Sequence, residues 1–344
     1  MAVTIKDVAR AAGVSASTVT RALSNPEMVN LATRERVRQT AAALGYQPNR
    51  AARGLITGRT GNLGLLVPDL ANPFFPSIVK GVQARAHEAD YAVFLVDTDE
   101  DATAEAGLVS KLSKQVDGLI LCSPRMAEDE LRTILGETPV VLINRRVGRV
   151  PSVTPAFTDA MRQAVSHLTA LGHRRIAYVA GPRSSWANRE RVRALRAVVA
   201  QGHVDLVEIG NVMPQFPGGV AAADQVLAAD VTAVIAYNDL VALGLLHRFA
   251  ARGVAVPADI SLLGFDDIAL AEMVHPSLTT VALPKEQAGR AAVDLLLQLL
   301  EQPDRAGAAR RELPVQLMVR GSTGPTSAKR TAEAPHRKRD SPPM

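Results

Sequence analysis

Arg191 and Asp266 carry opposite charges, Asn144 and Asn238 carry amides, Asp69 adds a carboxylate, and Phe74, Phe75 and Trp186 supply aromatic rings. A guanidinium only donates hydrogen bonds, a carboxylate only accepts them and an amide does both, so the set suits a small polar molecule with several hydroxyls or ring nitrogens. A second set lies near the start of the chain. Ala16, Ser17, Thr20 and Arg21 fall on one face at helical spacing, and all are short or polar, free to reach base edges in a major groove.

Catalytic chemistry finds less support. "GLITGRTG" (54–61) is not the G-x-x-x-x-G-K-[ST] of a phosphate-binding loop, and Ser185 in "GPRSSWANRE" lacks the flanking glycines of a nucleophile elbow. His167, His173, His203, His247 and His275 are scattered without metal-ligand spacing. No catalytic residue, metal or cofactor is expected, and the small molecule is expected as an effector.

Distant residues of the first set need a scaffold that brings them to one edge. From residue 61, apolar runs alternate with helical stretches: "LGLLVP", a helix near 74–90, "YAVFLVD", a helix near 103–115, "DGLILC" and "PVVLIN". The alternation restarts at "RIAYVAG" and continues through "AVIAY" and "SLLGFDD". Short continuous apolar runs between helices mark strands buried on both faces of a parallel sheet, which predicts two doubly wound α/β lobes. Such sheets bind ligands beyond the carboxyl ends of their strands, where Asp69, Phe74, Phe75, Cys122, Ser123, Asn144, Trp186, Arg191, Asn238 and Asp266 fall. Structural roles compete at several of these places: Asp69 as a strand-end cap, Phe74 and Phe75 as core, Cys122 as a small buried residue. Of their neighbours, Asp239 reads as a helix cap, Asp267 as structural and Arg189 as solvated.

The second set needs helices. Thr4 before "IKD" has the form of a capping box, and Ile5, Val8, Ala9 and Ala12 then repeat at the helical period. Gly13 ends that helix, Val14 turns inward, and Ser15 caps a second helix whose apolar side is Val19, Ala22 and Leu23. Ala9, Ala12 and Gly13 let the two helices cross closely, as a helix-turn-helix requires. A third helix follows, capped by Asn30, with Val37, Ala41 and Leu44 facing inward and Gly45 as its stop. Pro48 breaks it, and Asn49 caps a short linking segment.

Charge supports the division. Residues 1–60 carry nine Lys or Arg against three acids and residues 321–344 five against two, while the whole chain is only +5. A basic head on a slightly acidic body is the footprint of a polyanion binder. With 344 residues and 47% apolar content the chain can bury full cores, and its one cysteine suits a reducing cytoplasm. The N-terminus lacks the apolar core of a secretory signal, and no apolar run approaches the roughly 18 residues of a membrane span. A soluble protein, cytoplasmic and nucleoid-associated, without membrane contact, is expected.

The strings "TIKDVARAAGVSASTVTRALS", "VNLATRERVRQTAAALGYQPNRAARGL", "GLLVPDLANPFF", "GHRRIAYVAGP", "YNDLVALG", "SLLGFDDI" and "LTTV" occur in this order over residues 4 to about 322. Together they resemble the lactose/purine-repressor (LacI/GalR) family of bacterial transcription regulators. The resemblance implies an N-terminal all-α helix-turn-helix DNA-binding domain followed by an α/β periplasmic-binding-protein-like body of two doubly wound parallel-sheet lobes. It implies that Ala16, Ser17 and Arg21 read bases, and that Leu55, with Ala52 beside it, wedges into the minor groove at the centre of a palindrome. Thr4, Ser15, Thr18, Thr20, Asn25, Asn30, Tyr46, Asn49 and Arg53 complete the expected DNA-contacting set. Gly54 departs from the family pattern and weakens the hinge helix, which is expected to be disordered without DNA. Arg191, Asn238 and Asp266 match the family's effector-contacting positions. Asn144 stands where many sugar-responsive members have aspartate, "TPAFT" (154–158) replaces a valine-aspartate-asparagine turn, and "NVMPQFPGG" is irregular.

The expected organisation is a head over 1–47, a hinge over 48–60, a body over 61–322 and a disordered basic tail over 323–344. Within the body, one lobe takes about 61–157 and 285–312, the other about 158–284 and 313–322. The tail lacks the leucine heptads that would hold a tetramer, which favours a homodimer. These features predict a ligand-responsive regulator, most simply a repressor of carbohydrate-related genes acting on a palindromic operator in double-stranded DNA, its effector a sugar or sugar derivative. A corepressor-type regulator answering a nucleobase or nucleoside is the alternative within that class. A solute-binding protein would need an export signal and no basic head, and an architectural DNA protein would not need so large a body.

Overall fold

Small residues set the geometry of the first unit, residues 1–61, of the computed structural model. The structure describes residues 3–46, 59–134, 138–202, 204–302 and 309–326. Helix α1 (Ile5–Ala12) begins where the Asp7 carboxylate accepts both the Thr4 N–H at 3.0 Å and the Thr4 hydroxyl at 2.6 Å. It ends at Gly13, whose φ of 64° is left-handed, and the Val14 N–H then closes onto the Ala9 carbonyl. Helix α2 (Ala16–Ser24) is capped by Ser15 Oγ accepting the Thr18 N–H at 3.1 Å. After a 3₁₀ turn at Pro26–Met28, Asn30 Oδ1 caps helix α3 (Leu31–Ala43) through the Thr33 N–H at 2.8 Å.

Val8, Ala9, Ala12, Val19, Ala22, Val37 and Ala41 are buried between the three helices. The Arg36 Nε–H ties α3 back to the Ala12 carbonyl at the end of α1. Leu44, expected to face inward, is 39% exposed. The helix ends one residue before it, and the chain turning through Gly45 brings Tyr46 against the core instead.

The second unit holds two six-stranded sheets. The first comprises β1 (Asn62–Val67), β2 (Ala92–Asp97), β3 (Gly118–Cys122), β4 (Val140–Ile143), β5 (Ser152–Pro155) and β11 (Arg310–Leu313), in the order β11-β5-β4-β3-β1-β2 and parallel throughout. The second comprises β6 (Arg175–Val179), β7 (Asp205–Ile209), β8 (Ala233–Ala236), β9 (Ser261–Asp266), β10 (Thr279–Ala282) and β12 (Gln316–Met318), in the order β12-β10-β9-β8-β6-β7. Its pairings are parallel except at the edge, where β12 runs antiparallel to β10. The chain passes between the sheets three times, after β5, after β10 and between β11 and β12.

Strands β3, β4, β8 and β9 are buried at every position, as their continuous apolar runs predict. "YAVFLVD" reads the same way but lies at a sheet edge, with Phe94 and Leu95 exposed. Helices fill the connections: α4 (Phe74–Glu88), α5 (Ala102–Leu112), α6 (Glu128–Ile134), α7 (Phe157–Ala170), α8 (Trp186–Gly202), α9 (Phe216–Ala228), α10 (Asp239–Ala251), α11 (Leu270–Met273) and α12 (Lys285–Glu301). Helices α9 and α10 meet at Gly219 and Gly244, where an added Cβ would collide with the Val241 and Phe216 carbonyls. Among the described residues no helix is long and apolar enough to cross a membrane.

Candidate functional site

On α2, Ser17 and Arg21 are exposed and one helical turn apart, and Asn25 is exposed just beyond the helix end. The Arg21 Nε–H donates to the Ser17 carbonyl at 3.3 Å, which lays the guanidinium along this face while its other N–H groups stay available. Ala16 is half-buried against the helical core, so its methyl belongs partly to packing. Thr20 donates its hydroxyl to the Ala16 carbonyl at 3.1 Å, and Thr18 Oγ1 lies 2.9 Å from Ser15 Oγ. Thr4, Ser15 and Asn30 are exposed caps, and Tyr46 is half-buried on the core. Asn49, Ala52, Arg53 and Leu55 lie outside the described residues.

In the body, the carboxyl ends of both sheets line one narrow cavity of about 20 Å³. Phe74, Phe75, Asn144, Arg191, Asn238 and Asp266 all line it. Phe74 and Phe75 meet edge to face at the start of α4, ring centroids 5.1 Å apart. Asn144 sits in the left-handed region (φ 55°) after β4 and donates its amide to Ser123 Oγ at 3.2 Å.

Arg191 projects from α8 into a cage of aromatic rings, its guanidinium carbon 3.6 Å from the Phe265 centroid, 4.9 Å from Tyr237 and 5.5 Å from Phe157. Cation–π attraction strengthens when the cation is desolvated, as it is here. One Nη donates to the Tyr237 carbonyl and the other lies 3.8 Å from the Asp266 carboxylate. Arg191 Nε is buried with no hydrogen-bond partner among the described residues.

Asp266 ends β9 at φ 111°, where Lys285 Nζ holds its carbonyl and that of Asp267 at 2.5 and 2.7 Å. Burial pushes the Asp266 carboxyl up to about 7, against the pull of Arg191 and Lys285. Behind it, Asp239 is pushed up to about 8 by burial and by the Asp266 charge, although it accepts hydrogen bonds from the Thr280 hydroxyl and the Ile268 N–H. Asp239 therefore ties α10 to β10. The cap of α10 is Asn238, whose Oδ1 accepts the Val241 N–H at 2.9 Å while its Nδ2 donates to the Pro214 carbonyl at 2.8 Å.

Three expected residues, Asp69, Trp186 and Cys122, stand off the cavity wall. Asp69 accepts the Ala71 N–H in a local turn and the Gln215 side-chain amide from the other lobe. Trp186 packs edge-on against Phe157 with centroids 6.1 Å apart, supporting the aromatic cage from outside. Cys122 is fully buried, its thiol pushed up to about 12, and Asp267 pairs with Arg320. Arg189 is exposed and donates to the Arg183 carbonyl.

The sequence reading missed Glu100, Arg125 and Tyr237, which also line the cavity. Arg125 forms a two-pronged ion pair with Glu100 at 2.6 and 2.8 Å, both side chains almost fully buried. Arg125 stands two residues past a strand-end position, and Glu100 lies in the acidic run "DTDED", which reads as solvated surface. Among the described residues, no group of three His, Cys, Asp or Glu could hold a metal ion.

Comparison with known proteins agrees with both halves. The family described as "Bacterial regulatory proteins, lacI family" matches residues 4–49, and that described as "Periplasmic binding protein-like domain" matches residues 165–323. The chain is 34% identical over 335 residues to the HTH-type transcriptional repressor CytR of Escherichia coli (strain K12), covering 94% of this chain and 96% of the relative. A crystal structure of the lac repressor dimer bound to operator and the anti-inducer ONPF superposes with a TM-score of 0.84 at 30% identity, covering 94% of this chain and all of the other. The complex of the transcriptional regulator CelR with cellobiose matches with a TM-score of 0.70 at 32% identity, covering 93% and 99%.

Proposed function

The chain belongs to the lacI family of bacterial regulatory proteins, and on that premise we propose that it is a ligand-controlled transcriptional repressor, not an enzyme, which binds a palindromic operator as a homodimer in the cytoplasm. The observation that carries this reading is the union in one chain of two sites. A three-helix head exposes Ser17, Arg21 and Asn25, and a two-lobed body buries Arg191 and Asp266 at the edge of an enclosed cavity.

Ser17 and Arg21 are assigned to base contacts, with Ala16 supplying a methyl edge. Thr4, Ser15, Thr18, Thr20, Asn25, Asn30, Tyr46, Asn49 and Arg53 serve DNA contact or its support, and Leu55 with Ala52 serves the minor-groove wedge. The division is a head over 1–47, a hinge over 48–60, a body over 61–322 and a basic tail over 323–344. Arg191, Asp266, Asn238 and Asn144 hold the effector between the aromatic faces of Phe74 and Phe75, with Asp69 and Trp186 supporting the walls. The effector is a sugar or sugar derivative, and a sugar-bound relative supports this class. Its binding changes the relation of the lobes, and through the dimer the spacing of the two heads on the palindrome. That coupling is reciprocal, so operator DNA alters ligand affinity by the same factor, typically about 1–3 kcal/mol.

Selection from a random DNA library at near-physiological salt tests the reading. An enriched palindrome supports a dimeric regulator. Binding without any enriched sequence, with and without candidate sugars, overturns it.

A further inference from the structure

Buried ion pairs do little for net stability, because the desolvation of both charges offsets their attraction. The Glu100–Arg125 pair is such a pair, joining the loops after β2 and β3, and the loop that carries Arg125 is held by other groups as well. The Glu105 carboxylate accepts the Arg125 and Met126 N–H groups at 2.7–2.8 Å, and Arg145 Nη1 donates to the Pro124 and Met126 carbonyls at 2.8 Å. Arg125 Nη1 adds a bond to the Ser123 carbonyl at 3.2 Å, so its side chain braces its own loop as well as meeting Glu100. On the other side, Asp99 and Glu100 both hold left-handed backbone, with φ of 50° and 58°, a costly conformation for residues with side chains. What the arrangement achieves is to set one guanidinium and one carboxylate on the first-lobe wall of the cavity, opposite Arg191 and Asp266 on the second.

These four are the charged side chains of the wall among the described residues. With Asp266 ionised, their charges cancel. Arg125 is already met two-pronged by Glu100, so an incoming phosphate or carboxylate would compete with a partner in place and meet two carboxylates among the lining side chains. Hydroxyl groups suffer neither penalty: each can donate to a spare carboxylate lone pair and accept from a remaining guanidinium N–H.

We propose that Glu100 and Arg125 form the first-lobe half of the effector site and select an uncharged polyhydroxylated molecule over its phosphate ester. This rests on the effector reading of the cleft, and Glu100 is its specificity-determining residue.

The test measures binding of D-ribose, D-glucose and cytidine, each against its phosphate ester, by the melting temperature of the full chain and the fluorescence of its single tryptophan at pH 8. The expected result is that at least one uncharged compound binds and its ester binds at least tenfold more weakly. In Glu100→Gln, which keeps the shape but removes the neutralising charge, the ester gains relative to the parent at least fivefold; in Arg125→Lys, which loses the two-pronged fork, the parent weakens. An ester that binds wild type as tightly as its parent, a ratio unchanged within twofold in Glu100→Gln, or no response to any of the six compounds would each overturn the proposal. Failure of the DNA selection alongside clear sugar discrimination would remove the regulator reading and leave this one standing.

Discussion

The Asp69 carboxylate in the first lobe accepts a hydrogen bond from the Gln215 side-chain amide in the second at 3.0 Å, a direct tie between the lobes that needs no ligand. A hydrogen bond to a charged group contributes about 1.5–3 kcal/mol, enough to shift an open–closed balance tenfold or more. Asp69→Ala is therefore expected to loosen the ligand-free body. Small-angle scattering should show a larger radius of gyration than wild type, and identical curves would mean that the tie does not hold the lobes.

Arg191 is held by one carbonyl, one distant carboxylate and three aromatic rings. Arg191→Ala should abolish the melting-temperature rise produced by whichever sugar stabilises the wild type. The ratio of operator affinities with and without that sugar should fall to one. A variant that responds as wild type does would remove Arg191 from the ligand site.

For Arg21, the expected signature is selective. Arg21→Ala should erase preference at one base position of the operator half-site by about 1–3 kcal/mol, as loss of a direct contact does. Uniform weakening on every sequence, with a shallower salt dependence, would assign the side chain to a phosphate instead.

Asp239 and Asp266 set a pH trend. Their carboxyls stand at about 8 and about 7 in the folded chain, against about 4 when unfolded. Between those limits the folded chain keeps protons that the unfolded chain has lost, so these groups make stability fall as pH rises from about 5 to about 8 and level off above. The melting temperature should decline over that interval and decline less in Asp239→Asn, which carries no charge at any pH. A wild-type melting temperature that rises across it would contradict the assignment.

Two glycines should respond oppositely to alanine. In Gly244→Ala the new Cβ meets the Phe216 carbonyl and must push α9 from α10, a strain of about 1–3 kcal/mol. Gly107 lies inside α5 with open space beside it, and Gly107→Ala should stabilise by roughly 0.5–1 kcal/mol through helix propensity. Denaturant midpoints of the two variants on opposite sides of wild type would bear this out; a stabilised Gly244→Ala would not.

Much of the fold could be read from local pattern because local physics decides it. Thr4, Gly13, Ser15 and Asn30 mark helix ends through bonds within a few residues, and fully buried strands declare themselves by unbroken apolar runs. Strand order is a long-range property, and β2 reads like its neighbours although it lies at an edge. The same divide holds in the cleft. Residues at strand ends, such as Asn144 and Asp266, follow from rule, whereas Glu100 and Arg125 depend on a loop backbone turning left-handed and a charge pair closing between different connections. Asp239 shows the limit from the other side: its neighbour takes the cap, and its own partners are 29 and 41 positions away in the chain.

The threefold passage of the chain between the sheets means that neither lobe is a continuous stretch of sequence. A stop codon anywhere between β10 and β11 strips an edge strand from both sheets at once, and a single protease cut in any one passage leaves the lobes joined by the other two. The lobes can be neither expressed separately by simple truncation nor released by one nick, so they are inherited as one piece.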